Sequence, residues 1–372
     1  MFYFLLMLQF VYAQQNRATV NLDSIVRQLG EKAMKMPQAT GLSIGIYYKD
    51  RDHFYNFGTV EKGKELSPTE NTVYEIGSVA KTFTSFLLAK AIIEKKISPD
   101  DDIRKYLNDS FPNLHYNGHV IKVMHLANAT SGLPDWLPPT PDIIKNAPAD
   151  SVGFLRARIY AGYTRKDFYD ALKEVKPDTI PGSVRRHSNA GADLLTYILE
   201  AVYKKPYREL VEQYVFKPLE MKSSAFAADR NTSGLAKGYN GNGLEMPYSP
   251  TAYSSTTADL LKYIKLHLKG ENKYAKLALT KTADIDLNNN KVVQRSTGVY
   301  QTALNWFSFK NDNGTSQTWY DGGTHGFMSY VVFYPEIKAA VVLLANVADE
   351  KTYRILPGIA YEIFKAISPA AK

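Results

Sequence analysis

The order of segments along this 372-residue chain predicts an α/β fold: an antiparallel β-sheet flanked by helices, built from both chain ends, with an all-α region inserted between them. Three observations carry this. Two early runs rich in Ile, Tyr, Phe and Val, "GLSIGIYYKD" and "RDHFYNFGTVEKG", read as a hairpin. A long middle stretch carries helical patterns separated by Pro and Gly. Near the end, "STGVYQTALNWFSF", "TSQTWY", "FMSYVVFYP" and "KAAVVLLANV" read as a strand meander. Pairing of the first and last strands would leave a cleft between sheet and helices, a common place for a site.

The elements follow in order. From Ser78 to about Lys95, Phe83, Phe86, Leu87, Ala91 and Ile92 recur at helical spacing. Further helices are expected over 121–128, 166–174, 189–203, 206–215 and 256–269. The tail "KTYRILPGIAYEIFKAI" is expected to be a helix that Pro357 interrupts or kinks. The expected division is a sheet domain from 20–77 plus 288–372 and a helical region over 78–287, with the site in the cleft between. No repeat, low-complexity tract or Gly/Ser linker divides the chain.

Composition narrows the function classes. With 45% hydrophobic and 22% charged residues the chain is globular. The net charge is +8, but Lys and Arg are scattered and the densest pair is Arg185-Arg186. No basic run is interleaved with aromatics, so no nucleic-acid partner is expected. The lack of cysteine excludes disulfides, a thiolate nucleophile and cysteine-ligated zinc. His115, His119 and His125 lie four and six residues apart without H-E-x-x-H, and neither a metal nor a cofactor is expected. The opening "MFYFLLMLQFVYAQQ" is too short to span a bilayer. It ends in Val11-Tyr12-Ala13, which suits signal-peptide cleavage after Ala13, although no Lys or Arg precedes the run. The expectation is an exported protein, periplasmic or secreted, without a transmembrane span in its mature chain.

Two serines compete as nucleophiles. Ser43 lies in "GLSIG", which matches G-x-S-x-G, but that elbow needs a strand, a sharp turn and a helix. Here the strand runs on into "IYYKD", so Ser43 is expected to be a mid-strand residue. Ser78 and Lys81, in "YEIGSVAKTF", share one helix face, so the lysine amine can reach the serine hydroxyl. A serine needs a base to take its proton, and a lysine serves once burial disfavours its ammonium. Gly77 before it would let a substrate approach the backbone. Spacing alone still favours the plain reading, a serine near a helix start and a solvated lysine. S-x-x-K arises by chance roughly once or twice in a chain of this length.

The surroundings change this. "YEIGSVAKTFTSFLLAKAIIEKKISPDDDIRKYL" resembles the active-site segment of the class C β-lactamase and penicillin-binding-protein-like serine hydrolases. "HLANATSGLPD", "PGSVRRHSNAGADLLTYILEAV", "YVFKPLEMKSSAF" and "YDGGTHGFMSYVVFYPE" resemble its later segments in the family's order, over about residues 20 to 365. The resemblance implies a β-lactamase/transpeptidase-like fold with Ser78 as the acylated nucleophile and Lys81 as its base. Asn189 falls on the Asn of the Y-x-N motif, which would hold Lys81 and a substrate amide. Gly322 and Gly323 fall on the third motif, and the backbone N–H groups of Ser78 and Gly323 would form the oxyanion hole.

Two positions depart from the pattern. His187 stands where the family has a Tyr, and Tyr320 where it has Lys or His. One reading is an exchange of imidazole and phenol, with His187 as general acid/base and Tyr320 as a hydrogen-bond donor near the substrate. Tyr320 is neutral at physiological pH. Weak recognition of carboxylate-bearing substrates is therefore expected unless Arg185, Arg186 or His325 turns inward. His325 itself reads either as a solvated loop residue or as a substrate contact. The implied function is a cofactor-free serine hydrolase acting through an acyl-enzyme on an ester, a D-amino-acid peptide or a β-lactam. The alternative is a catalytically weak or inactive module of the same fold that binds peptidoglycan fragments or senses a ligand.

Overall fold

The computed structural model describes residues 22–229, 234–294, 297–311 and 314–368; the N-terminal run read as an export signal lies outside them. The hairpin forms where the β-branched and aromatic runs place it, as β1 (Gly41–Tyr48) and β2 (Arg51–Gly58). Lys49 and Asp50 between them both take positive φ, 50° and 60°, a two-residue turn whose twist matches that of the strands. The Tyr47 hydroxyl donates to Asp50 Oδ1 at 2.8 Å and ties this turn to its strand.

Seven further strands of the same sheet come from the second half of the chain: β3 (Ala283–Asp286), β4 (Val292–Val293), β5 (Val299–Ala303), β6 (Trp306–Lys310), β7 (Ser316–Gly323), β8 (Met328–Tyr334) and β9 (Ala339–Ala345). Their spatial order is β4-β3-β5-β6-β7-β8-β9-β1-β2, antiparallel throughout. The two chain ends meet where Leu42 pairs with Ala345 and Tyr47 with Ala340. The sheet begins at Ala283, five residues before the expected boundary at 288, because β3 pairs with β5.

Every residue of β9 is buried, since helices cover both faces of the sheet. Ala340, Val342 and Leu344 join a core with Leu260, Leu261 and Ile264 of α5 (Thr257–Lys269). Ala339, Val341 and Leu343 join a second core with α6 (Glu350–Ile367) and Val26 of α1 (Leu22–Met34). This is the two-residue alternation of a strand serving two layers. Helix α6 runs on through Pro357, so the expected interruption is absent.

The helix expected from Ser78 begins as one 3₁₀ turn, Gly77–Ala80, and continues as α2 (Lys81–Ile93). Thr82 to Ala91 are all buried, so α2 is a central helix packed on every side. Helices 165–173, 189–203 and 257–269 appear within a residue or two of expectation. Helix α3 (Ala149–Tyr160) has no counterpart among the expected helices: only Gly153 along it is buried, so it carries no apolar stripe to read. Helix α4 (Asn189–Tyr203) starts at Ser188, whose hydroxyl accepts from the Gly191 N–H at 2.9 Å.

Candidate active site

The site is assembled where the 3₁₀ turn meets the end of β7. Side chains three apart eclipse in a 3₁₀ turn, and Lys81 Nζ stands 2.7 Å from Ser78 Oγ. Holding that turn against β7 requires bare backbone on both sides. A Cβ on Gly77, where φ is +50°, would lie 2.5 Å from Gly323 N; one on Gly322 would lie 2.3 Å from Ile76 O and 2.8 Å from Ser78 N. Ser329 on β8 secures the junction by donating to Ile76 O at 2.7 Å. The backbone amides of Ser78 and Gly323 are thereby brought to one edge of the cleft.

Lys81 also donates to Asn189 Oδ1 at 2.8 Å, at the first residue of α4. Burial pushes the Lys81 amine below the ordinary lysine range, against the opposing fields of Asp193, Asp135 and Asp321. Asn189 is fixed from behind: its backbone N–H and its Nδ2 both donate to Asp135 Oδ1 at 3.1 Å. The same oxygen receives His187 Nδ1 at 2.8 Å. Burial works to raise the Asp135 carboxyl, but its bonds from His187 and Asn189 hold it below the usual range. A carboxylate only accepts, so His187 Nδ1 is the donor in this contact.

The cleft beside Ser78 has a volume of about 560 Å³ and runs between the end of β7, α3 and α4. Ser78, Lys81, Asn189, Gly323 and His325 all line it. His325 lies in the loop after β7 and is half-buried: it packs near Gly153 of α3 and lines the cleft, and burial pushes it down to about 4. His187 and Tyr320 face a smaller crevice behind Lys81, together with Arg185, Asn305 and Phe307. Tyr320 is 7% exposed and stacks on Phe307 at 5.3 Å, so it lies behind the lysine and does not wall the main cleft. Gly322 shares its face of β7, while Asp321 points the other way and bonds Tyr353 of α6.

Ser43 is fully buried in β1 with its hydroxyl 2.9 Å from that of Tyr74, which removes it as a nucleophile. Of the basic residues flagged from sequence, Arg186 pairs with Asp178 at 2.8 Å. The Arg185 guanidinium lies over the Phe307 ring at 4.5 Å. Two arginines not flagged from sequence line the cleft: Arg156 of α3, over the Trp136 ring at 5.8 Å, and Arg208, which faces Asp229 at 3.6 Å. Sequence reasoning also missed Asp135 and Asp193. The first sits inside the segment "HLANATSGLPD"; the second lies one helical turn beyond Asn189, a spacing that was there to be read. His125 acts only on its own turn, where its Nδ1 accepts the Lys122 N–H at 3.1 Å and caps Val123–Ala127. Among the described residues no group of three or more His, Asp or Glu side chains is arranged to hold a metal.

A serine hydroxyl against a buried lysine, at a cleft edge where two backbone segments pack closely, is the architecture of an S-x-x-K serine hydrolase. The chain belongs to the beta-lactamase family, whose profile matches residues 22–360. It is 25% identical over 368 residues to a beta-lactamase of Providencia stuartii, covering 87% of this chain and 86% of that one. It is 28% identical over 307 residues to protein flp of Staphylococcus aureus, covering 80% of this chain but 56% of the relative. Among solved structures, a beta-lactamase/D-alanine carboxypeptidase from Pseudomonas syringae superposes with a TM-score of 0.75 at 21% identity, covering 94% of this chain and 99% of that one. A class C beta-lactamase gives the same TM-score and identity, with 94% and 97% covered. The fold is therefore the β-lactamase/transpeptidase-like one, and the protein is a serine hydrolase of this family.

Proposed function

We propose that Ser78 is the nucleophile of an acyl-enzyme cycle and that Lys81 and His187 divide the proton transfers. The observation that carries this is the 2.7 Å contact between Ser78 Oγ and the Lys81 amine. In the acylation step Lys81 takes the hydroxyl proton as Oγ bonds to the carbonyl carbon of an ester or amide. The developing oxyanion is held by the Ser78 and Gly323 N–H groups. The scissile bond then breaks, and the leaving group takes a proton from the Lys81–His187 side. Water, deprotonated on the same side, cleaves the acyl ester and regenerates Ser78. Asp135 supports His187 in this role by keeping the proton on Nδ1, the arrangement that orients an imidazole base in a catalytic triad.

The favoured substrates are esters, or amides that need no carboxylate contact at the third motif. Tyr320 is neutral and buried, Arg186 is paired, Arg185 lies against Phe307 and His325 is neutral at physiological pH. A carboxylate-bearing β-lactam or D-peptide would have to rely on Arg156, or on Arg208 in competition with Asp229. The apolar N-terminal run supports export; no helix among the described residues is long and apolar enough to cross a membrane. The neutral third motif also favours a second reading, a module of this fold that binds peptidoglycan fragments with little turnover.

The test is intact-protein mass after exposure to a fluorophosphonate, a fluorescent penicillin and a p-nitrophenyl ester, with Ser78→Ala alongside. Adducts that vanish in the variant, strongest with the ester, are expected. A folded protein that takes up none of the three probes would leave the binding module as the better reading.

A further inference from the structure

We propose that the cleft contains an acyl-arm subsite running along α4, with Asp193 as its specificity-determining residue, and that this subsite takes an acyl group ending in a protonated amine. The inference rests on Ser78 being the nucleophile. The face of α4 that carries Asn189 continues through Asp193, Thr196, Tyr197 and Glu200, and all of these line the same cleft as Ser78. Eleven residues of helix rise about 16 Å from Asn189 to Glu200. The space is therefore an elongated channel leading away from the serine, where an α4 face would ordinarily be packed. Tyr207 and Phe226 supply apolar wall along it.

The charges in the channel are not equivalent. Glu200 is engaged: Oε1 accepts the Tyr207 N–H at 2.6 Å and Oε2 pairs with Arg165. Arg208 faces Asp229 at 3.6 Å. Asp193 is open to the cleft, and among the described residues its carboxylate has no hydrogen-bond donor and no ion-pair partner. Lys81 acts on it only through space. A methylene stem lying against Tyr197, Tyr207 and Phe226 would carry an ammonium to Asp193, where a charge-assisted hydrogen bond forms beside aromatic faces that also attract a cation. Its arrival would cancel the field that favours a protonated Lys81, so the acyl arm that fits also readies the base. A neutral arm of the same length does neither.

The test separates the subsite from the chemistry. The Ser78→Ala protein is titrated calorimetrically with δ-aminovaleramide and with valeramide at neutral pH. The amine is expected to bind about tenfold tighter, the worth of one charge-assisted contact. That preference should collapse toward unity in Ser78→Ala/Asp193→Asn and return in part with Asp193→Glu. Equal affinities for the two amides, or a preference that Asp193→Asn does not move, overturn the subsite. Wild-type protein is then exposed to the p-nitrophenyl ester of trans-4-(aminomethyl)cyclohexanecarboxylic acid, whose ring keeps the amine from closing on its own carbonyl. Absence of an acyl mass on Ser78 overturns the acyl-arm assignment at its premise, and that failure is distinguishable because the amide titration does not need the serine.

Discussion

At the scale of single residues the site is a contest over one proton. Burial disfavours the ammonium of Lys81, and three carboxylates, Asp193 first among them, oppose that effect. Ester turnover should therefore rise with pH along a limb whose midpoint lies below that of a free lysine. A carboxylate stabilises the protonated form, so removing one lowers the pKa further. With a neutral ester, Asp193→Asn should move the limb to lower pH; an upward move contradicts the assignment of Lys81 as base. His187→Ala should cut turnover by about 10²- to 10⁴-fold, the usual worth of a general acid or base, while the fold persists. Near-normal turnover in that variant would remove His187 from the mechanism. Asp135→Asn should lose activity in the same direction, because its amide can offer Nδ1 a donor and so favour the other tautomer. Stability should change little, since the His187 and Asp135 side chains are 55% and 45% exposed and solvent screens their pair.

At the scale of elements, the junction between the 3₁₀ turn and β7 decides whether those residues meet at all. Its tolerance is set by backbone packed on backbone. A Cβ on Gly322 would sit 2.3 Å from Ile76 O, and neither strand nor turn can give way without parting Ser78 N from Gly323. Gly322→Ala is expected to abolish acylation by a p-nitrophenyl ester and to cost about 1–3 kcal/mol in denaturant unfolding, as overpacking does. A variant with wild-type stability and rate would mean that the junction is looser than its spacing. Asn189 works at the same scale. As the first residue of α4 it joins Lys81 on α2 to Asp135 in the preceding loop, so one helix start registers both segments of the candidate site.

At the scale of the whole molecule, two cores lie on opposite faces of one sheet, and the larger contains α2 itself. Packing that dense around a titratable group makes stability depend on pH. His267 of α5 is 2% exposed among Phe86, Tyr263 and Trp306, and burial pushes it down to about 4. Between that value and about 6.5, where the unfolded chain's histidine titrates, the unfolded state binds more protons. Stability contributed by the neutral buried ring is thus complete above that window and is lost as pH falls through it, at about 1.4 kcal/mol per pH unit. His267→Phe should flatten the acid side of the thermal-stability curve by about that slope. An unchanged slope would show that other groups govern acid unfolding.

How far the sequence reached depended on whether the signal was local. Period-two and helical patterns determined the hairpin, the terminal meander and the main helices, because side-chain direction is fixed by backbone geometry alone. Family-like segments in the right order carried Ser78, Lys81, Asn189 and Gly323 with them. Helix α3 escaped because it buries almost nothing, and the placement of Tyr320 behind Lys81 escaped because strand alternation gives a face but not what lies opposite. Asp135 and Asp193 were plain acidic residues in the sequence. Only the fold sets one under His187 and Asn189 and leaves the other lining the cleft without a partner among the described residues, since a carboxylate's role is decided by the donors that reach it, and those donors come from distant parts of the chain.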